Sequence, residues 1–423
     1  MHQLCGLGSR PGLERIESLL HAMGNPEQNL KYIHVAGTNG KGSTSLIIAD
    51  ILIKAGYRVG RFSSPHLHSY LERFTVNGQE ITEESMKLIL DRIEKDIEAM
   101  LKIGEDHPTE FEVLTAIAFQ YFLNERVDVV VLEVGMGGSY DSTNVIKPEV
   151  AVITGVDYDH TAYLGTTLTE IATNKAGIIK LGVPIIVGPM EDEALEVIEK
   201  QAGSLDAPLY PSSQIKITRI GSPTLEGQLL NIEGAYLKMS GVKFSLLGDY
   251  QISNLAAALR AIEVLIAKGY RVEEQGIRQS LNNLRMPGRL EVMQYCPLVI
   301  IDAAHNPQGA KALADSLENL LPDRKKILVL GMLDDKERDG TLSTLGRNTE
   351  MVIVTRPQGP RGGAWQEVQE KWQEIFPDIK AWPVENINEA VNKGLAMLSG
   401  DNYLVITGSF YVLDQARRVL TNN

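Results

Sequence analysis

Apolar residues along this chain fall into two alternating patterns, helical spacing and short unbroken runs. Leu13, Ile16, Leu19 and Leu20 share one face between Gly12 and Gly24 and predict an amphipathic helix. Ser45 to Ala55, Glu83 to Met100 and Phe111 to Leu123 read as further helices. Between them stand the β-prone runs Tyr32–Ala36, Tyr57–Phe62, Asp128–Glu133, Val150–Thr154 and Pro184–Val187. Asp128–Glu133 is almost wholly apolar, the pattern of a parallel strand covered on both faces. Strands alternating with helices predict an α/β fold built on a mostly parallel sheet.

The pattern changes between Gln214 and Leu247. Short strand-like pieces, Ile215–Thr218 and Gln228–Ile232, are broken by Gly and Pro and predict a small antiparallel patch at the edge of the first domain. Helices follow over Tyr250–Lys268 and Glu273–Leu284, then the linker-like Arg285-Met286-Pro287-Gly288. The alternation then starts again, with strands expected at Leu298–Asp302, Lys326–Leu330, Met351–Thr355 and Tyr403–Thr407. A first domain over 1–284, a linker over 285–289 and a second, Rossmann-like α/β domain over 290–423 account for the 423 residues. Two such domains are expected to form a cleft suited to two substrates.

A net charge of −13 disfavours a nucleic-acid partner, yet allows a small anionic substrate at a locally positive site. Two cysteines, Cys5 and Cys296, without a C-x-x-C pattern argue against a disulfide framework or zinc site. The first residues lack a signal-peptide pattern, and no apolar run approaches the ~18 residues of a membrane span. A cytoplasmic protein is expected.

The richest chemistry lies in Gly37-Thr38-Asn39-Gly40-Lys41-Gly42-Ser43-Thr44, between a strand and a helix. Glycines let backbone amides approach an anion, and a helix start adds partial positive charge. Gly40, Lys41, Gly42, Ser43 and Thr44 are therefore candidate phosphate contacts, with Ser43 or Thr44 on Mg²⁺. The spacing is tighter than G-x-x-x-x-G-K-[ST], and Gly42 is inserted before the hydroxyls.

Glu133 ends a strand at the same predicted sheet edge and is a candidate Mg²⁺ carboxylate, against the plainer reading of a capping or surface acid. His160, in Asp157-Tyr158-Asp159-His160-Thr161, is a candidate metal or phosphate contact. Lys175 sits among small and apolar residues; the pattern leaves open a snorkelling helix residue or a buried amine reactive toward CO₂. Arg289, after the linker, and Asp302, at a strand end, are placed to clamp phosphates and accept from ribose hydroxyls. No Ser-His-Asp order or G-x-S-x-G elbow supports hydrolysis by a nucleophile.

Together these stretches resemble the folylpolyglutamate synthase/dihydrofolate synthase family, a branch of the Mur ligases. The likeness runs from about Gly8 to Tyr411 through Gly12–Arg15, Gly37–Ser43, Ser64-Pro65-His66-Leu67, Thr109–Glu112, Leu132–Gly138, Asp159–Thr161, Lys175–Ile178, Pro287-Gly288-Arg289, Asp302–Pro307 and Thr407–Ser409. The resemblance implies a P-loop Mur-ligase central domain with a small antiparallel edge sheet, followed by a Rossmann-like ligase domain. It implies ATP-dependent ligation of L-glutamate to a folate carboxylate through an acyl phosphate.

It also implies the roles of particular residues. Ser43, Ser64, Glu133 and His160 would hold Mg²⁺, and Asn254, Arg289 and Asp302 would complete the ATP site begun by Gly40–Thr44. Lys175 matches a lysine that is carbamylated, which replaces the snorkelling reading. His305 would lie near the phosphates or the glutamate, so Lys41, Lys175, His160 and His305 form the catalytic set. Gly12, Leu13, Glu14, Arg15, Thr109, Glu110, Phe111, Glu112, Tyr140, Asp141 and Ser142 match pterin-binding segments. The partners implied are L-glutamate and dihydropteroate or tetrahydrofolate, and a monomer is expected.

Three departures stand out. Ser139-Tyr140-Asp141 replaces Arg-Leu-Asp, Tyr250 replaces a histidine, and Ala303 replaces a glycine. The leading expectation is a bifunctional enzyme that makes dihydrofolate and extends the glutamate tail. The alternatives are a folylpolyglutamate synthase alone or a Mur-type ligase acting on a non-folate carboxylate.

Overall fold

The computed structural model describes residues 10–421, so Cys5 and the Gly8-Ser9 start of the resemblance lie outside the described residues. Two compact units are present. The first takes the chain up to Thr218 with Leu230–Val242 and Gln251–Leu284. The second takes Arg219–Leu229, Lys243–Tyr250 and everything from Arg285. Arg219–Leu229 and Lys243–Tyr250, expected with the first domain, thus pack with the second unit.

The first unit is built on an eight-stranded sheet in the order β4-β3-β2-β5-β1-β6-β7-β8. These are β1 (Tyr32–Ala36), β2 (Val59–Phe62), β3 (Phe74–Val76), β4 (Gln79–Glu80), β5 (Val129–Glu133), β6 (Val150–Ile153), β7 (Ile185–Val187) and β8 (Leu209–Pro211). The strands from β2 to β8 in that order run parallel, and β3 and β4 turn back antiparallel. Every residue of β1, β5 and β6 is buried, which explains their nearly unbroken apolar character.

Helices cover both faces. They are α1 (Glu14–Ala22), α2 (Lys41–Lys54), α3 (Glu83–Lys102), α4 (Glu110–Asn124), α5 (Thr161–Leu164), α6 (Leu168–Ala176), α7 (Asp192–Ser204), α8 (Tyr250–Ala267) and α9 (Glu274–Asn283). Apolar faces of α1, α3 and α4 meet Tyr32, Phe62, Val130 and Leu132 in one core. Phe119 of α4 packs edge-on against Tyr32, ring centroids 5.7 Å apart. Side chains alternate along a strand. Val131 and Glu133 of β5 therefore face the opposite side, where α2 packs on β5 and β2.

Helix α2 starts at Lys41, four residues before the expected start at Ser45. Gly40 in a left-handed conformation makes the turn, so Lys41 to Thr44 already form the first helical turn. The strands β9 (Lys216–Arg219), β10 (Gln228–Glu233) and β11 (Lys238–Phe244) form a separate small antiparallel sheet, the antiparallel patch expected from the sequence.

The second unit has a six-stranded sheet, β12-β13-β17-β14-β15-β16. Its strands are β12 (Glu291–Tyr295), β13 (Leu298–Ile301), β14 (Lys326–Leu330), β15 (Thr349–Val354), β16 (Ala381–Pro383) and β17 (Tyr403–Thr407). All pair in parallel except β12, which runs antiparallel to β13. The helix α10 (Pro307–Leu320) follows β13 and is capped by Asn306, whose Oδ1 accepts from the Gly309 amide at 2.7 Å. Among the described residues, no helix is long and apolar enough to cross a membrane.

Phe119 is fully buried, so Phe119→Ala is expected to cost about 3–5 kcal/mol through lost burial and the cavity left behind. A urea unfolding curve followed by circular dichroism checks this as a lowered midpoint.

Candidate active site

Three neighbouring strands, β5, β1 and β6, end at one edge of the main sheet and deliver the loops that carry the predicted chemistry. In open α/β sheets this carboxyl edge is where ligands bind. The loop after β1 is held from the side by the loop after β6. Thr154 Oγ1 donates to Asn39 O at 2.6 Å, and Thr38 N donates to Gly155 O at 2.9 Å. Thr38 Oγ1 also donates to Asp157 O and accepts from the Asp157 amide, both at 3.0 Å. That ties the Asp157–His160 segment to the phosphate loop.

Two glycines make this packing possible. Gly37 has φ 149°, and a Cβ there would lie 1.9 Å from Thr154 Oγ1. Gly40 has φ 85°, and a Cβ there would lie 2.2 Å from Asn254 Oδ1. Asn254, on α8, is oriented by Gln251, whose Oε1 accepts from Asn254 Nδ2 at 2.9 Å. The structure therefore brings Asn254 to the loop, 214 positions from Gly40 in sequence. Lys41 Nζ donates to Gly37 O at 2.9 Å and Thr38 O at 3.1 Å, which folds the ammonium over the loop. The start of α2 is buried at Ser43 and Thr44, and Thr44 Oγ1 has no hydrogen-bond partner.

Glu133 is buried at the end of β5. The chain beyond it packs closely on the end of α6. Ser139 N and Oγ both donate to Asn174 O, at 2.8 and 3.0 Å. Backbone atoms of Asn174 and Lys175 lie within 3 Å of where a Gly138 Cβ would be. Lys175 is 2 % exposed, so it is no snorkelling surface residue. Burial first, and the nearby Lys41 second, bring its pKa down to about 7, against the opposing pull of Asp159 and Asp141. His160 is exposed, left-handed in conformation, and 3.9 Å from Asp159 through Nε2.

A cavity of about 460 Å³ lies beside these groups. Thr109, Glu110, Phe111, Glu112, Tyr140, Asp141 and Ser142 of the candidate pterin set line it, together with Ser64. Gly135 and Met136, just after Glu133, and Asn174, just before Lys175, share its wall. Asp141 is held by the Met136 amide at 2.8 Å and by Thr143 N and Oγ1 at 3.0 and 2.5 Å. Burial nevertheless raises its pKa.

Gly12, Leu13, Glu14 and Arg15 do not line the cavity, although the preceding Arg10 and Pro11 do. Arg15 acts from behind the wall, with Nη2 2.8 Å and Nε 3.2 Å from the Glu112 carboxylate. Glu112 also closes a capping box with Thr109 at the start of α4. Sequence reasoning missed Arg73 in the cavity wall. Its guanidinium lies over the Tyr70 ring, and its Nε donates to His66 Nδ1 at 2.9 Å. Tyr70 in turn donates to Glu110 Oε1 at 2.5 Å. A Ser69-x-x-Glu72 capping pattern was the available signal for this turn.

The second unit holds Arg289, Asp302 and His305 at the carboxyl end of β13. Asp302 accepts from the Leu290 and Ala304 amides, both at 2.8 Å. Burial raises the Asp302 pKa, partly offset by Arg289. Tyr250 also hydrogen-bonds Asp302. Arg289 stacks over Phe410 at 5.0 Å, and His305 Nδ1 is 2.8 Å from Ala303 O.

Profiles for two consecutive domains match the chain: the Mur ligase middle domain over residues 35–262, and the Mur ligase glutamate ligase domain over residues 288–410. The dihydrofolate synthase/folylpolyglutamate synthase of Bacillus subtilis is 34% identical, over 99% of this chain and 97% of that protein. This chain belongs to the folylpolyglutamate synthase/dihydrofolate synthase family of Mur ligases. Among solved structures, Mycobacterium tuberculosis folylpolyglutamate synthase complexed with ADP and AMPPCP has a TM-score of 0.92 at 33% identity, with 100% of this chain and 97% of that one covered. Escherichia coli FolC in complex with DHPP and ADP has a TM-score of 0.88 at 30% identity, with 100% and 96% covered. The chain is an ATP-dependent ligase with an α/β fold.

The residues present fit a nucleotide-borne Mg²⁺. Among the described residues, no group of three or more His, Cys, Asp and Glu is arranged to hold a metal by itself. Mg²⁺ in phosphoryl-transfer sites is usually held by one or two carboxylates together with phosphates and water. A buried carboxylate at Glu133 and a buried, unpartnered hydroxyl at Thr44 suit that division.

Because the space beside Gly40 is filled by Asn254, Gly40→Ala is expected to weaken ADP binding at least ten-fold without unfolding the protein. Isothermal titration with ADP, alongside a far-UV circular dichroism spectrum, checks both parts.

Proposed function

We propose that this ligase joins L-glutamate to the carboxylate of a folate through an acyl phosphate, making dihydrofolate from dihydropteroate and then extending the glutamate tail. The observation that carries the reading is a shared wall. The aromatic-lined cavity takes Gly135, Met136 and Asn174 from the segments that present Glu133 and Lys175. Its volume of about 460 Å³ suits a pterin joined to an aminobenzoate. A carboxylate at the mouth of such a ligand would meet the phosphate loop.

In this reading Gly40, Lys41, Gly42, Ser43 and Thr44 hold the ATP phosphates, and Asn254, Arg289 and Asp302 are further ATP contacts. Ser43, Ser64, Glu133 and His160 would hold Mg²⁺, which offsets charge on the transferring phosphoryl group. Lys41 moves its ammonium from the Gly37 and Thr38 carbonyls to the phosphates, a short swing of an already positioned cation. Phe111 offers the pterin an aromatic face, and Thr109, Glu110, Glu112, Tyr140, Asp141 and Ser142 frame it. Arg15 holds Glu112 in place, and Gly12, Leu13 and Glu14 belong to the same pterin-binding segment. Lys175 carries a carbamate, its amine kept neutral by burial, and His305 serves the phosphates or the incoming glutamate. A monomer working in the cytoplasm completes the proposal.

Incubation with ATP, Mg²⁺, glutamate and either dihydropteroate or tetrahydrofolate tests the function. ADP release with both acceptors is expected; turnover of tetrahydrofolate alone would leave a folylpolyglutamate synthase without the first activity. Lys41→Ala should lower ligation by at least a thousand-fold while leaving the circular dichroism spectrum unchanged.

Lys175 gives a pH test. Below about pH 7 its amine is protonated and cannot attack CO₂; above it the neutral amine can. With ¹³C-bicarbonate, a carbamate resonance should therefore grow between roughly pH 6 and 8. It should be missing in Lys175→Arg at every pH.

A further inference from the structure

Arg61 lies in β2, paired on one side with Thr75 of β3 and on the other with Val131 of β5. Its neighbour Phe62 belongs to the core beneath α1, α3 and α4. Alternation along the strand turns Arg61 to the other face, the one shared by Val131 and Glu133 and packed against α2. Glu133 stands two residues beyond Arg61's partner on the adjacent strand. Arg61 is partly buried there; desolvation lowers its pKa, and Glu133 pulls it back up. A guanidinium does not give up its proton in a protein, so this charge is permanent.

We propose that Arg61 is the built-in counter-charge of Glu133 and sets how strongly this site takes a divalent cation. The proposal rests on the reading of Glu133 as a metal carboxylate. Opposite charges in a poorly hydrated setting attract strongly, and a cation arriving at Glu133 meets a second positive charge already facing it. A metal ion alone is therefore held weakly. A metal ion accompanied by nucleotide phosphates brings its own negative charge and escapes the penalty. Arg61 thereby makes metal entry conditional on nucleotide, which keeps Glu133 from being occupied by free cation.

Mn²⁺ titration followed by electron paramagnetic resonance, without and with ADP, tests this in the full-length protein. Arg61→Gln is expected to tighten binding of Mn²⁺ alone by about ten-fold or more, with a smaller change when ADP is present. Arg61→Lys keeps the charge and should stay near the parent protein, which guards against misreading a folding defect. Unchanged or weaker Mn²⁺ binding in a folded Arg61→Gln would overturn the proposal. Glu133→Gln separates the two levels of the argument. Loss of Mn²⁺ binding there, with no effect of Arg61→Gln, removes the counter-charge alone. Retention of Mn²⁺ binding in Glu133→Gln removes the metal reading itself.

Discussion

The functional edge of the first unit depends on a steric constraint. Thr154 and Asn254 occupy the space that side chains at positions 37 and 40 would need, and only glycine leaves that space open. Through it the loop after β6 and the start of α8 grip the phosphate loop directly, with Thr154 bonded to the Asn39 carbonyl. The grip replaces flexible-loop entropy with fixed geometry before any ligand arrives. It also explains why three loops distant in sequence act as one surface.

Much of this was legible in the chain. Strands β1, β5 and β6 are buried on both faces, so their apolar runs were unambiguous, and strand–glycine–lysine–hydroxyl order marked the phosphate loop. The start of α2 was misplaced because Gly42 and two hydroxyl residues lower local helix propensity, while Gly40's left-handed turn and packing override it. Edge strands such as β4, wholly exposed, and β16, three residues long, carry too few apolar positions to show a period. Lys175 was undecidable from pattern, because its burial comes from the glycine loop after Glu133, some 40 positions earlier in sequence. For Arg73 the Ser69-x-x-Glu72 pattern marked the turn but not the cavity, since its place in the wall comes from its packing over Tyr70 and its bond to His66.

Charge is arranged against the trend of the whole molecule. A chain with net charge −13 places the ammonium of Lys41 and the guanidinium of Arg61 around one sheet edge. Burial lowers the Lys175 pKa, and the neighbouring charge of Lys41 adds to that fall. A site poised in this way lowers its own energy when anions enter it. The same burial that costs stability in the empty protein becomes affinity for phosphate and carboxylate groups.

The interlocked pairs Gly37 with Thr154 and Gly40 with Asn254 have an evolutionary corollary. A side chain at either glycine collides with its partner, so neither glycine can be replaced first. Change at the glycine has to wait until the partner has become smaller. Tyr140, exposed at the cavity wall, has no such steric lock with these glycines, and its position can vary by single replacements. Substrate diversification in such a scaffold is therefore channelled toward the rim, while the phosphate-holding centre stays frozen.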